Sequence, residues 1–506
     1  MAALSVRKCV ASLLGLLAVL DSQASAEADS PKVVKMDLSR SPATSSSNVA
    51  GRRLARRNSI TVPVMNAVSQ GLYFVNATVG TPPQTVQLQI DTGSSDIWFF
   101  GPDSCDESTS PCLGGVFDPS DSSSVKIIGK DDFQIKYGTP DSGVVGDYIT
   151  DDFSIGGVTI KNLTMAVATD AKVVPTGIMG IGFDTDESIV VEDHSKPYPN
   201  IVDVMVEQGL ISTRAYSLWL NDLDSRSGSI LFGGYDTSKF TGKLLTLPIQ
   251  PDAQTGNIST MTVAWTSLSV TNTTTGKSQT LSSDSLPAPA LLDSGTTATM
   301  LPPDLYEQLA QFFGAIQDPS SDQALVQCDL LQTADGTLDF EFGGTGGPVI
   351  KVPFSEFAIP LGVDTWGLCQ LGLMPATDPN LGVILGDTFL RSAYVVYDLD
   401  NKQISLAQTV FNTTESNVVE IKQSSSGSAV GSMVTGVTVT QTATGLQAPG
   451  IATATGTVRY TGTALATSTV SPSSSSSSSK SGAAGTVRGT FASAVVGLLS
   501  MIVALY

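Results

Sequence analysis

The sequence predicts an all-β fold with a few short helices, divided into two lobes or domains. Three observations carry that expectation. From about residue 72 the chain runs as short stretches rich in Val, Ile, Thr and Tyr, punctuated by Gly, Asp, Asn and Pro, which is the chemistry of strands and turns. Its 506 residues exceed what one hydrophobic core ordinarily serves. One pattern also occurs twice, as Gln89-Ile90-Asp91-Thr92-Gly93-Ser94-Ser95 and as Leu291-Leu292-Asp293-Ser294-Gly295-Thr296-Thr297.

Taken in order, residues 72–79 read as a first strand, Gly80-Thr81-Pro82-Pro83 as its turn, and residues 86–90 as the strand that follows. The apolar lead-in places Asp91 and Asp293 each at the end of a buried strand. A carboxylate there is costly unless it is paired, hydrogen-bonded or at work. Two such groups brought together suit acid/base hydrolysis, because like charges a few ångströms apart cannot both ionise: one carboxyl keeps a proton and the other stays charged. Asp141-Ser142-Gly143 shares the letters but follows Thr139-Pro140, without an apolar lead-in, and reads as a turn. Residues 201–208 and 304–313 are the better helical candidates.

The formal net charge of −20 argues against nucleic acid or an anionic membrane as an electrostatic partner and suits an acidic working environment. His194, in the polar run Glu192-Asp193-His194-Ser195-Lys196, is the one histidine and reads as a solvated loop residue. No G-x-S-x-G elbow accompanies it, which disfavours Ser/His and Cys/His chemistry. Clusters of His and Cys with metal spacing are absent from the sequence, so neither a metal nor a cofactor is expected. Cys9 lies in the leader. Cys105, Cys112, Cys328 and Cys369 form an even set, consistent with an oxidising compartment. Three pairings are open; the local one, which closes short loops within each half, is preferred.

Residues 1–26 show the three parts of a secretory signal: Arg7-Lys8, an apolar core over 10–20, and the small residues Ala24-Ser25-Ala26. Residues 27–57 form a polar segment ending in Arg52-Arg53-Leu54-Ala55-Arg56-Arg57, read as a pro-segment with a processing site at Arg56 and Arg57. Asn76, Asn162, Asn257, Asn272 and Asn412 stand in N-x-[ST] sequons. After about residue 421 Ser, Thr, Gly, Ala and Val dominate, so residues 421–481 read as an extended, O-glycosylated stalk. Residues 482–506 carry a short spacer and an apolar tail, read as a glycosylphosphatidylinositol (GPI) attachment signal with Ser481 or Gly482 as the attachment residue.

Further segments recur in order between the two Asp motifs and after them: Ile135-Lys136-Tyr137-Gly138-Thr139, Gly177-Ile178-Met179-Gly180, Ile230-Leu231-Phe232-Gly233-Gly234, Val383-Ile384-Leu385-Gly386, Gly386-Asp387-Thr388-Phe389-Leu390-Arg391 and Val395-Val396-Tyr397-Asp398. Over roughly residues 69–412 the chain resembles the pepsin-like aspartic proteases of family A1, and within them the fungal, GPI-anchored, yapsin-like members. The resemblance implies a bilobal fold of two related β-lobes, residues 58–240 and 241–420, with a cleft between them. It implies that Asp91 and Asp293 are catalytic, that Thr92 and Ser294 brace the two loops, and that Ser94 and Thr296 bond the outer carboxylate oxygens around the Gly93 and Gly295 turns. Tyr137, Gly138 and Thr139 match the flap that closes over substrate, with Tyr137 bonded to Trp98. The pairs Cys105–Cys112 and Cys328–Cys369 match family disulfides.

The function so implied is a secreted, cell-surface-anchored aspartic endopeptidase, made as a zymogen and acting on peptides or proteins in acid. It would be a monomer held on the outer leaflet or the cell wall. Three features depart from the family pattern. A further short disulfide early in the second lobe has no cysteines here, the flap continues Pro140-Asp141, and the loop 103–110 is short, so cleavage after paired basic residues does not carry over. A catalytically silent binding protein and a wall or adhesion protein on the same fold are the alternatives.

Overall fold

The computed structural model describes residues 32–40, 72–106, 112–137, 142–191, 194–225, 227–252, 256–318, 324–361, 367–377, 382–422 and 429–434. The leader, Arg56 and Arg57, Gly138 and Thr139, Asp141, most of the stalk, and Ser481 and Gly482 lie outside the described residues.

The protein is mostly β and bilobal. In chain order the strands that position the site are β1 (Val34–Arg40), β2 (Tyr73–Val79), β3 (Gln84–Asp91), β4 (Ile97–Phe100), β5 (Lys126–Lys136), β6 (Gly143–Ile155), β7 (Val158–Lys172), β8 (Gly177–Gly180), β9 (Ala215–Trp219) and β10 (Ser227–Phe232). Those of the second half are β11 (Phe240–Pro248), β12 (Ala288–Leu292), β13 (Thr299–Leu301), β14 (Val383–Leu385), β15 (Ala393–Asp398) and β16 (Gln403–Thr409). One large sheet contains β1 to β11 and β15 and β16; a second sheet holds β12, β13 and β14. The halves meet where β15 pairs antiparallel with β9, Val395 opposite Leu218 and Tyr397 opposite Tyr216.

The repeated sequence pattern produces a repeated device. β3 runs parallel to β8 with Asp91 opposite Gly180, and β4 returns on the far side of β8, antiparallel, Ile97 opposite Met179. In the second half β12 runs parallel to β14 with Leu292 opposite Leu385, and β13 returns with Met300 opposite Ile384. The loop carrying each aspartate therefore crosses the end of a buried neighbouring strand. All four residues of β4 are buried, because its two faces serve two cores. Ile97 and Phe99 join the main cluster, while Trp98 and Phe100 join a second one with Phe133, Tyr137 and Tyr148, as the two-residue period of a strand requires.

The two helices expected from sequence are present, the first ending one residue earlier and the second starting and ending one residue earlier. Helix α1 (Ile201–Glu207) opens on a capping box: the Asn200 side chain accepts the N–H groups of Val202 and Asp203, and Asp203 accepts that of Asn200. Helix α2 (Pro303–Phe312) has Pro303 in its first turn and buries Leu305, Leu309 and Phe312. Cys105 bonds Cys112 and Cys328 bonds Cys369, with Cα separations of 5.6 Å and 5.1 Å, so the local pairing is the observed one.

Parts of the segments read as pro-segment and stalk are built into the sheets. Within the polar segment 27–57, β1 lies in the large sheet between β10 and β2, with Val34, Met36 and Leu38 buried and Lys35 and Asp37 exposed. The alternation Val-Lys-Met-Asp-Leu is a strand signal that the surrounding polar composition hides. Within the expected stalk, Ser432–Met433 adds a parallel strand beside β11, and the Val434 N–H donates to the Thr246 carbonyl at 3.1 Å. A sheet edge needs only backbone partners, so low-complexity composition does not prevent this pairing.

Candidate active site

The loops after β3 and β12 approach each other closely, and both Asp91 and Asp293 are fully buried. Each carboxylate is held by the same pair of donors from its own loop. The Gly93 N–H donates to Asp91 Oδ1 at 2.8 Å and the Ser94 hydroxyl to Asp91 Oδ2. The Gly295 N–H donates to Asp293 Oδ1 at 2.7 Å and the Thr296 hydroxyl to Asp293 Oδ2 at 2.6 Å. Glycine is required at both turns by the opposite loop: a Cβ on Gly93 would lie 2.7 Å from Asp293 Cγ, and one on Gly295 would lie 2.6 Å from Asp91 Cγ.

The hydroxyls of Thr92 and Ser294 cross between the loops. Thr92 Oγ1 donates to the Leu292 carbonyl at 2.8 Å and accepts the Ser294 N–H at 3.0 Å. Ser294 Oγ donates to the Ile90 carbonyl at 3.0 Å and accepts the Thr92 N–H at 3.2 Å. Four buried backbone groups are thereby paired across the two loops. Sequence reasoning did not single out Gln89, whose side-chain amide reaches the Gly295 carbonyl at 2.9 Å. It shares β3 with Gln84 and Gln87, so nothing in the sequence set it apart.

Burial pushes both carboxyls above the ordinary aspartate range. For Asp91 the rise is opposed by the donors Ser94, Asp293 and Gly93. Asp293 goes much further, because the charge on Asp91 adds to its burial. The pair can therefore share one proton, one carboxyl protonated while the other is ionised. A buried acid and a buried base side by side can move a proton on to and off a third group placed against both.

Trp98 Nε1 donates to the Tyr137 hydroxyl at 2.7 Å, both side chains being buried. Tyr137 ends the β5 arm of the β5–β6 hairpin, so this bond ties that hairpin to β4. Asp96, two residues before Trp98, was also missed from sequence; it is buried and accepts the hydroxyl of Tyr148 on β6 at 3.3 Å. His194 is exposed on a loop. Asn76, Asn162, Asn257, Asn272 and Asn412 are all exposed. Among the described residues, no group of three or more His, Cys, Asp or Glu side chains is placed to hold a metal ion.

Comparison with known proteins accords with this geometry. The family model for eukaryotic aspartyl protease matches residues 72–409. A probable aspartic-type endopeptidase, opsB, of Aspergillus fumigatus is 40% identical over 400 residues, covering 78% of this chain and 79% of its own. The OPSB protein of Trichophyton verrucosum, given the same description, is 38% identical over 443 residues, 84% of this chain and 86% of its own. Secreted aspartic protease 3 of Candida albicans is 36% identical over 376 residues, 71% of this chain and 85% of its own. Two matching aspartate loops, braced against each other on a bilobal β fold, and a family match across both of them lead to one conclusion: this chain is a protease belonging to the eukaryotic aspartyl protease family.

Proposed function

We propose that the enzyme is an acid-acting endopeptidase whose Asp91 and Asp293 share the proton chemistry of peptide hydrolysis. The observation that carries the reading is the buried pair itself, with matched donors on each carboxyl and burial raising both. A water placed between the two gives a proton to Asp91 as its oxygen attacks the scissile carbonyl carbon. Asp293 gives its proton to the carbonyl oxygen, producing a neutral tetrahedral diol. Asp91 then protonates the leaving nitrogen, the C–N bond breaks, and a diol hydroxyl returns a proton to Asp293 as the new carboxyl forms. The β5–β6 hairpin, held through Tyr137 and Trp98, serves as the flap that covers substrate and excludes water.

The surrounding chain supports a secreted, surface-anchored zymogen. Residues 1–26 carry the secretory signal pattern, and a relative is named a secreted aspartic protease. Five exposed sequon asparagines and two disulfides suit passage through an oxidising secretory route. β1 lies upstream of Arg56 and Arg57 and is an inner strand, which suits a pro-segment that helps the precursor fold. No helix among the described residues is long and apolar enough to cross a membrane; the tail 482–506 supplies the GPI signal pattern. The enzyme takes peptides or proteins as substrates and acts as a monomer.

The test is cleavage of a mixed peptide library between pH 3 and 7 by the wild-type enzyme and Asp293→Asn. Cutting in acid that depends on Asp293 and is blocked by a statine-type inhibitor supports the reading. Equal activity in both proteins would overturn it.

A further inference from the structure

Beside the paired aspartates lies a second set of buried carboxyls that the proposed mechanism does not use. Asp96 accepts the Ser188 N–H at 2.7 Å through one oxygen and, through the other, the hydroxyls of Tyr198 at 2.8 Å and Tyr148 at 3.3 Å. Tyr148 stands on β6 and packs edge-on against Phe133 of β5 and against Tyr198, with ring centroids 5.4 Å and 5.7 Å apart. Glu187, fully buried, accepts the Tyr198 N–H at 2.8 Å through Oε2, while its Oε1 is buried with no hydrogen-bond partner. Tyr198 therefore spans two carboxyls, its N–H on Glu187 and its hydroxyl on Asp96, and through Asp96 it meets the base of the β5–β6 hairpin.

The groups that face Glu187 are Asp96 from the aspartate loop, Asp184 from the preceding turn, Asp203 from α1, and the phenols of Tyr148 and Tyr198. The neighbouring Asp186 faces Asp96 and Asp91. Arg214, the cation beside Asp203, is held between Asp203 at 3.1 Å and Asp400 at 2.6 Å. Among the described residues a charge on Oε1 would thus have neither donor nor cation, and burial pushes the Glu187 carboxyl up to about 10.

We propose that Glu187 is a proton-dependent positioning residue: protonated, it lets Tyr198 hold the flap strands on the aspartate loop through Asp96, and its ionisation drives that segment open. This rests on the reading of Asp91 and Asp293 as the catalytic pair and of β5–β6 as the flap. Once opened to water the carboxyl titrates at its ordinary value near 4.5. Each pH unit above that value therefore favours the open form about tenfold. The enzyme is switched off as its surroundings approach neutrality, with the catalytic carboxyls still in place.

The test measures kcat and KM from pH 3.5 to 7.5 on one fluorogenic peptide, with tryptophan fluorescence on the same samples, for enzyme produced from the full chain. Wild type, Glu187→Gln and Tyr198→Phe are compared. In Glu187→Gln the ratio of kcat/KM at pH 6.5 to that at pH 4 rises at least about tenfold, mostly through KM, and the fluorescence transition moves up with it. In Tyr198→Phe both move to lower pH. Superimposable profiles and fluorescence for Glu187→Gln and wild type overturn the proposal. If Glu187→Gln does not accumulate folded, Tyr198→Phe decides, and an unmoved limb overturns it. Asp293→Asn separates the two readings: activity in that variant sinks the catalytic pair, while its fluorescence transition still reports on Glu187.

Discussion

Thr92 and Ser294 each reach into the other's loop, the Thr92 hydroxyl donating to the Leu292 carbonyl at 2.8 Å and the Ser294 hydroxyl to the Ile90 carbonyl at 3.0 Å. Because these bonds join the two halves of the chain directly beside the aspartates, they couple stability to activity. Thr92→Val and Ser294→Ala each take the acceptor from a buried N–H of the opposite loop, at a cost of about 1–3 kcal/mol. The double variant is expected to lose less than the sum, by about 0.5 kcal/mol or more, because one network is being broken twice. Urea unfolding of the four proteins, with kcat measured alongside, checks both; strict additivity would show that the two hydroxyls act independently.

The coupling of Asp91 and Asp293, both raised by burial, predicts a bell-shaped dependence of kcat/KM on pH. Activity falls in strong acid as the pair takes up a second proton, and falls on the other side as its last proton is lost. Both limbs report the pair, not either residue alone. Asp91→Asn and Asp293→Asn are each expected to lose at least about a thousandfold in kcat, in the range seen when one member of a tightly coupled catalytic set is removed. A variant retaining a tenth of wild-type activity would exclude its residue from proton transfer.

The large features of this site were legible because they are local. An apolar run, an aspartate and a Gly-hydroxyl turn repeat as one string, and the fold places both strings in the same relation to a neighbouring strand. Gln89 was read only as part of a strand, though it bonds across to Gly295. Asp96, Tyr148, Glu187 and Tyr198 escaped because they come together from four separate segments, and nothing in their immediate sequence marks them as buried. β1 escaped for a different reason: its two-residue alternation was outweighed by the polar residues around it.

That strand carries a prediction of its own. Val34, Met36 and Leu38 are each no more than 4% exposed, whereas Lys35 and Asp37 point outward. Met36→Asp places an unpaired charge inside the large sheet, a change costing several kcal/mol, so the full chain should fail to accumulate in the secreted fraction. Lys35→Ala and Asp37→Ala should accumulate normally. Equal yields of all three would show that residues 34–40 are dispensable for folding of the precursor.

The two disulfides should contribute unequally. By chain entropy, the bridge spanning 41 residues between Cys328 and Cys369 is worth about 4 kcal/mol, and the bridge spanning 7 between Cys105 and Cys112 about 2 kcal/mol. Paired Cys→Ser replacement of each bridge, followed by denaturant unfolding under non-reducing conditions, measures the difference. A reversed order would mean that native packing around the bridges outweighs their effect on the unfolded chain.

Glu187 makes the stability of the whole protein depend on pH, with a definite sign. Its carboxyl is pushed up to about 10 by burial, from an ordinary 4.5. Below pH 4.5 both the folded and the unfolded chain hold the proton, and the group is neutral in its effect. Above 4.5 the unfolded chain releases the proton while the closed fold keeps it, so stability is lost as pH rises, by about 1.4 kcal/mol per unit until the segment opens, and by up to about 3 kcal/mol at pH 7. Replacing Glu187 with Gln removes the ionisable proton and with it this loss. Urea unfolding at pH 4.5 and pH 7 should therefore show the gap between the two pH values narrowing in Glu187→Gln by up to about 3 kcal/mol relative to wild type. Any change common to both pH values reports packing of the amide, since only the difference between them follows the proton. An unchanged gap would place the acid preference of the fold in the other buried carboxyls, Asp91, Asp293, Asp96 and Asp186, which burial also pushes up.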